Sequence, residues 1–187
     1  SYLYYIAGGP RYVVFILFST LVTWLMALLI EKAEGKENHK GARKLLILGL
    51  ILNFGMLGIV KYTNFAVENI NALLHLNLRG IQLLLPLGIS FYTFQSSGYL
   101  LDVYWKRCKA ERHPLKYALF VSFFPQILQG PIGRYSRLAD QLYAEHRFEG
   151  NNIIRGFERI LWGFFKKMIL ADWAAAFADA IFEDPAK

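Results

Sequence analysis

Residues Tyr12–Ile30 read YVVFILFSTLVTWLMALLI, nineteen residues without a charge. A helix needs about 20 apolar residues to cross the hydrocarbon layer of a bilayer, and this stretch meets that length. Two more uncharged runs follow, Leu45–Val60 and Gly80–Leu101. The second run reaches the required length with its flank, because Lys61 can extend its charged tip toward the membrane surface. The spacing predicts spans at about 12–30, 45–64 and 81–101. Only 19% of the residues are charged, against about 25% in ordinary soluble domains. The expected fold class is therefore all-α, a polytopic membrane helical bundle. The first run lacks the short apolar core, basic leader and small-residue cleavage site of a signal peptide.

The charge pattern gives an orientation. Residues 31–44 and 102–116 each hold five Lys or Arg, whereas 61–80 holds only Lys61 and Arg79. Basic loops stay in the cytoplasm, and two crossings between the two basic loops agree with that rule. The charge lies in short loops beside apolar runs, which excludes a nucleic-acid-binding face and leaves lipid headgroups as its natural partner. The single cysteine, Cys108, forms no disulfide within the chain, and no ligand set for a metal accompanies it.

Residues 123–135, FFPQILQGPIGRY, interrupt this order. Pro125 and Pro131 lack N–H groups, and Gly130 and Gly133 permit tight turns. Arg134 and Arg137 follow at once, so a full crossing would place them outside. A re-entrant segment over about 117–133, entering from the cytoplasm and returning, keeps them inside. Broken backbone at membrane depth is tolerated only where protein buries it or water reaches it. The break is therefore expected to line a cavity or face packed helices.

Within the third run, Tyr92, Gln95, Tyr99 and Asp102 recur every three or four residues and share one helix face. Such a stripe serves either as hydrogen-bonding glue between helices or as the lining of a tunnel. Asp102 is expected to pair with Lys106 one turn on. Residues 153–169 place Ile153, Phe157, Ile160, Leu161, Phe164, Phe165, Met168 and Ile169 on one face of a helix. An apolar helix continues to about 182. The amphipathic helix either lies in the membrane interface or packs on the bundle. His39 and His113 fall in the basic loops, His75 in the predicted outer loop and His146 after the broken segment. No nucleotide-binding, serine-hydrolase or metalloprotease motif is present.

VKYTNF (60–65), PLGISFYTFQ followed by LDVY (86–104), FFPQ followed by GPIGRY (123–135) and GFFKKMILAD (163–172), in this order, resemble the membrane-bound O-acyltransferase family. The likeness is nearest to the bacterial branch of alginate O-acetyltransferase membrane subunits, and runs from about Ile6 to Asp172. The teichoic-acid D-alanylation branch shares mainly the GPIxRY element. The resemblance implies a bundle with funnels from both sides and a thin floor. It implies transfer of an acyl group, most simply acetyl, from a cytoplasmic donor toward a cell-envelope polysaccharide. The donor would be acetyl-CoA or an acyl-carrier thioester, with no bound cofactor or metal. An extracytoplasmic esterase-like partner and the bacterial inner membrane come with it. The family's catalytic histidine sits in a later Trp-His segment that these 187 residues do not contain, so no catalytic role falls on His39, His75, His113 or His146. The chain reads as an N-terminal portion. Substrate candidates are Gln126, Gln129 and Arg134 at the broken segment, with Tyr92, Gln95 and Tyr99 behind them. A membrane transporter for a glycan or lipid is the competing class, but it calls for inverted repeats, and the sequence has none.

Overall fold

The computed structural model describes residues 6, 13–74, 86, 88–127, 130, 132–145 and 147–182. Among these, every regular element is helical. Internal contacts divide the chain into two units, Ser1–Ala144 and Glu145–Lys187.

The first unit is built on two long helices, α1 (Val13–Gly35) and α2 (His39–Leu74). Both are long and apolar enough to cross a membrane. At 1.5 Å per residue, α2 runs about 54 Å, well beyond the ~30 Å hydrocarbon layer. The basic segment 31–44, expected as a loop, is mostly helix: only residues 36–38 turn between α1 and α2. Glu37 takes φ 56 there. Asn38 caps α2, its Oδ1 accepting from the Gly41 N–H at 2.9 Å, the standard service of an N-cap side chain. A turn this short makes α1 and α2 an antiparallel pair.

The two helices bury small and polar residues alongside bulky ones. The buried positions of α1 are Ile16, Ser19, Thr20, Thr23, Ala27 and Ile30, while Val14, Leu17, Leu21, Leu25 and Leu29 are exposed. The buried stripe of α2 is Ala42, Leu46, Gly49, Asn53, Leu57 and Val60. Small and polar residues share the buried faces with Ile16, Ile30, Leu46, Leu57 and Val60, and many bulky apolar residues face out. That order fits an apolar surrounding, where helices associate through close packing and hydrogen bonds. Asn53 is the link. Its Oδ1 accepts from the Ser19 hydroxyl at 2.6 Å, and its Nδ2 donates to Thr23 Oγ1 and to the Gly49 carbonyl at 3.0 Å each.

Helix α3 (Ile89–Tyr104) packs against both α1 and α2. The described part of the third predicted span is this helix, because 81–85 and 87 lie outside the described residues. It starts from Gly88 at φ 70, where an added Cβ would stand 2.4 Å from the Ile127 carbonyl oxygen. It ends at Trp105 and Lys106. Lys106 takes φ 57, and this left-handed step turns its side chain off the helical register. Asp102 therefore does not pair with Lys106 as the i, i+4 spacing predicts. Lys106 reaches Glu34 at 3.0 Å, and Asp102 faces Arg107 at 3.6 Å.

Three short helices follow: α4 (Pro114–Val121), α5 (Phe124–Ile127) and α6 (Tyr135–Tyr143). Pro114 opens α4, where its missing N–H is harmless. The chain breaks at Ser122–Phe123, and Pro125 sits in the first turn of α5, so it starts a helix instead of interrupting one. Of the broken segment, Gly130 and 132–134 are described and non-helical.

The second unit is one continuous helical rod, α7 (Gly150–Phe165), a π-helical stretch Lys166–Ala171 and α8 (Asp172–Phe182). The predicted amphipathic helix over 153–169 thus starts three residues earlier, and its α-helical register ends at Phe165. A π turn carries an extra residue, so Met168 and Ile169 do not simply extend the preceding face. Lys167 pairs with Asp172 across this stretch. Trp162 and Phe165 stack at 5.1 Å, and no residue of α7 is buried.

Candidate functional site

The polar stripe of α3 turns inward. Tyr92, Gln95, Tyr99 and Asp102 are all buried. Gln95 donates from Nε2 to the Phe120 carbonyl at 3.2 Å, tying α3 to α4. The Tyr99 hydroxyl accepts from the Glu111 N–H at 2.7 Å. The Tyr99 ring packs on Tyr117 and Tyr135 at 4.7 and 4.8 Å, and Phe120 meets Tyr135 edge-on at 5.0 Å. This aromatic cluster joins α3, α4 and α6, and it fixes where the chain re-enters helix after the broken segment.

Between that segment and α3 lies a cavity of about 220 Å³. Gln95, Gly98, Tyr99, Leu101 and Asp102 form its α3 wall. Trp105 and Arg107 stand at the end of the helix, with Ile132–Tyr135 across. Two arginines and one aspartate line it. Arg107 is held by Asp102 and by the Trp105 ring, 4.6 Å from its centroid. Arg134 is exposed and has no ion pair among the described residues. The cavity therefore presents an uncommitted positive charge beside buried hydrogen-bonding groups, a fit for an anionic ligand.

The structure brings together three of the sequence candidates, Gln95, Tyr99 and Arg134. It leaves Tyr92 inside the helix packing, off the cavity wall. Gln126 lies under the turn. A Cβ on Gly133 would meet its Oε1 at 2.8 Å, and one on Gly130 would meet its Cα at 2.7 Å. The two glycines close the turn around Gln126, which makes it a strut of the turn. Its Oε1 is buried with no hydrogen-bond partner among the described residues. Gln129 and Pro131 lie outside the described residues, as do His75 and His146. His39 contacts the Glu34 carboxylate at 3.0 Å, and His113 precedes α4, exposed. No group of three His, Cys, Asp or Glu among the described residues is placed to hold a metal ion.

Sequence reasoning missed Glu111. Its carboxylate accepts from the Tyr135 hydroxyl at 2.6 Å and from the His113 N–H at 2.8 Å. Its carbonyl accepts from the Trp24 indole at 2.8 Å, and Glu31 holds the adjacent Ala110 N–H at 3.1 Å. The basic loop is thus stitched to α1, α3 and α6. Burial acts to raise the Glu111 pKa, but the Tyr135 and His113 hydrogen bonds and nearby Lys116 outweigh it, and the carboxyl sits below its ordinary value. Burial, and then the bond to Glu111, push the Tyr135 phenol far above the usual tyrosine range. An acidic residue within a basic loop carries no periodic signal, so its role was not legible in one dimension.

The chain is 35% identical over 89% of its length to the probable alginate O-acetylase AlgI of Pseudomonas syringae pv. tomato, and covers 33% of that protein. It is 38% identical over 76% of its length to the corresponding protein of Pseudomonas aeruginosa, covering 28% of it. It is 33% identical over 98% of its length to the peptidoglycan O-acetyltransferase of Helicobacter pylori, covering 39% of it. The chain is a relative of the bacterial O-acetylases. The resemblance to the alginate O-acetylase branch of the membrane-bound O-acyltransferases, read from the motifs, is borne out. The chain spans about a third of the length of these O-acetylases. No family model matches the chain, and no solved structure does. Two of the motifs on which the resemblance was read, PLGISFYTFQ–LDVY and GPIGRY, contribute Gln95, Leu101 and Asp102 on one side of the cavity and Ile132–Tyr135 on the other.

Proposed function

We propose that the chain is part of a multi-pass membrane O-acyltransferase that moves an acetyl group from a cytoplasmic thioester donor toward a cell-envelope polysaccharide. The observation that carries this is the 30–38% identity to O-acetylases of alginate and peptidoglycan across most of the chain. In such a transfer a sugar hydroxyl attacks the thioester carbonyl, its proton passes to a base, and the carbon–sulfur bond breaks to release the thiol. None of the four histidines of this chain is assigned the base. The 187 residues supply a donor site. Arg134 neutralises a phosphate of coenzyme A or of a carrier's pantetheine arm, while Gln95 and Tyr99 line the path inward. The broken segment about 117–133 is re-entrant from the cytoplasm, the basic turns face the cytoplasm of a bacterial inner membrane, and an extracytoplasmic esterase-like protein completes delivery.

The test uses membranes from cells carrying the complete gene, supplied with labelled acetyl-CoA. Label is expected in the envelope polysaccharide. An Arg134→Ala variant at equal expression should lose about tenfold or more, the worth of a charge-assisted contact. Undiminished label with Arg134→Ala would reduce the residue to a membrane anchor. Absence of label in the wild type would sink acetyl transfer from this donor and favour another acyl group, such as D-alanyl, or a transporter.

A further inference from the structure

Helix α3 is buried on most sides, yet Gly98 stands beside open space. Ser96, Ser97, Tyr99 and Leu100 around it are all buried. A Cβ built on Gly98 meets nothing within 4 Å among the described residues. Glycine is a poor residue for a helix interior, because it gives up the most backbone freedom on folding. At Gly49 a neighbour explains the choice: a Cβ would stand 2.9 Å from Leu100 Cδ1. At Gly98 no neighbour among the described residues does. What lies there is the cavity, with Gln95 one turn before, Asp102 one turn after and Arg134 across.

We propose that Gly98 is a specificity-determining residue, whose missing side chain keeps the cavity open so that a slim, unbranched, anion-bearing group passes Arg134 and reaches Gln95. The assignment of that group as a thioester donor rests on the proposed function; the opening itself does not. An isobutyl group at this position, carried by leucine, would project into and narrow a space of about 220 Å³. A single methyl would take little of it and would favour the helix.

The experiment reads the opening without reference to catalysis. In the full-length protein, Cys108 and any other cysteines are replaced and Gln95→Cys is introduced as a reporter on the inner wall. Its reaction with methyl methanethiosulfonate is timed in membranes. With Gly98 the reporter should react. Gly98→Leu should slow it about tenfold or more, and Gly98→Ala by no more than about threefold. Gly58→Leu, in α2 at another position where a Cβ meets nothing within 4 Å, should leave the rate unchanged and controls for general damage. An unreactive reporter, equal rates with Gly98 and Gly98→Leu, or alanine as harmful as leucine would each overturn the proposal. The last would mean that a packed helix occupies the space. Acetyl transfer by the wild type, measured in parallel, judges the donor reading separately. Its absence alongside a leucine-blocked reporter would sink that reading and leave the role of Gly98 standing.

Discussion

Single residues carry several constraints that the surrounding fold makes exacting. Gly88 has a positive φ of 70, and any Cβ there would drive into the Ile127 carbonyl. Gly88→Ala should cost on the order of 1–3 kcal/mol, seen as a lower thermal midpoint of the detergent-solubilised protein. Glu111 acts through hydrogen bonds, and its lowered pKa fixes a sign. The folded state holds this carboxylate below its unfolded value of about 4.3, so its contribution is present above that value and fades as pH falls through the folded pKa. Tyr135 works at the other end. Its phenol stays protonated in the fold, so stability should decline above about pH 10, where the unfolded chain ionises. Glu111→Gln should lose about 1–2 kcal/mol at neutral pH and flatten the acid limb of midpoint against pH between about 3 and 5. Cys108 offers a third check. Burial first, and then Asp102 and Glu31, push its thiol up to about 11. Since the thiolate is the nucleophile, alkylation at pH 8 should be slow and should accelerate toward that value.

Among the elements, the α1–α2 pair depends on one polar side chain. Asn53 makes two hydrogen bonds across the pair, with Ser19 and Thr23, and a third to the Gly49 carbonyl of its own helix, between helices whose outer faces are apolar. In an apolar medium such bonds average about 0.6 kcal/mol and reach about 1.7. Asn53→Leu should therefore weaken helix association by about 1–2 kcal/mol, measurable as a shifted unfolding midpoint. Ser19→Ala should do less, because Asn53 keeps its bond to Thr23 across the pair. The apolar periodicity of these helices was legible in sequence, since period and length are local properties. Their boundaries were not. The turn at 36–38 depends on Asn38 capping α2, and that cap outcompetes the look of a long basic loop. The Asp102–Lys106 pairing also failed for a local reason, since one left-handed residue at Lys106 ends the helical register on which the spacing rule relies.

For the whole molecule, the orientation proposed from charge makes a direct prediction. Single cysteines at Glu37 and at Asn69 bracket the α1–α2 pair. In intact cells an impermeant maleimide should label the Asn69 position and spare Glu37, because the turn carries the basic residues. The reverse pattern would invert the orientation and put Arg134 away from a cytoplasmic donor.

Sequence alone indicated that the chain is helical, that three uncharged runs suit a membrane, two of which lie in helices long and apolar enough to cross one, and that its motifs resemble those of the O-acetylases. The first two follow from composition and period, and the third is a resemblance carried by the motifs. Gln95, Tyr99 and Arg134 were also legible as candidates, as polar groups set in apolar surroundings. Only the tertiary structure decided which of them meet. Gln126 and Arg134 belong to the same motif, yet one is packed beneath the turn and the other faces the cavity. That choice depends on Gly130 and Gly133 closing on Gln126 and on Glu111, 24 residues away, holding Tyr135. Such contacts join residues distant in sequence, and no spacing along the chain encodes them.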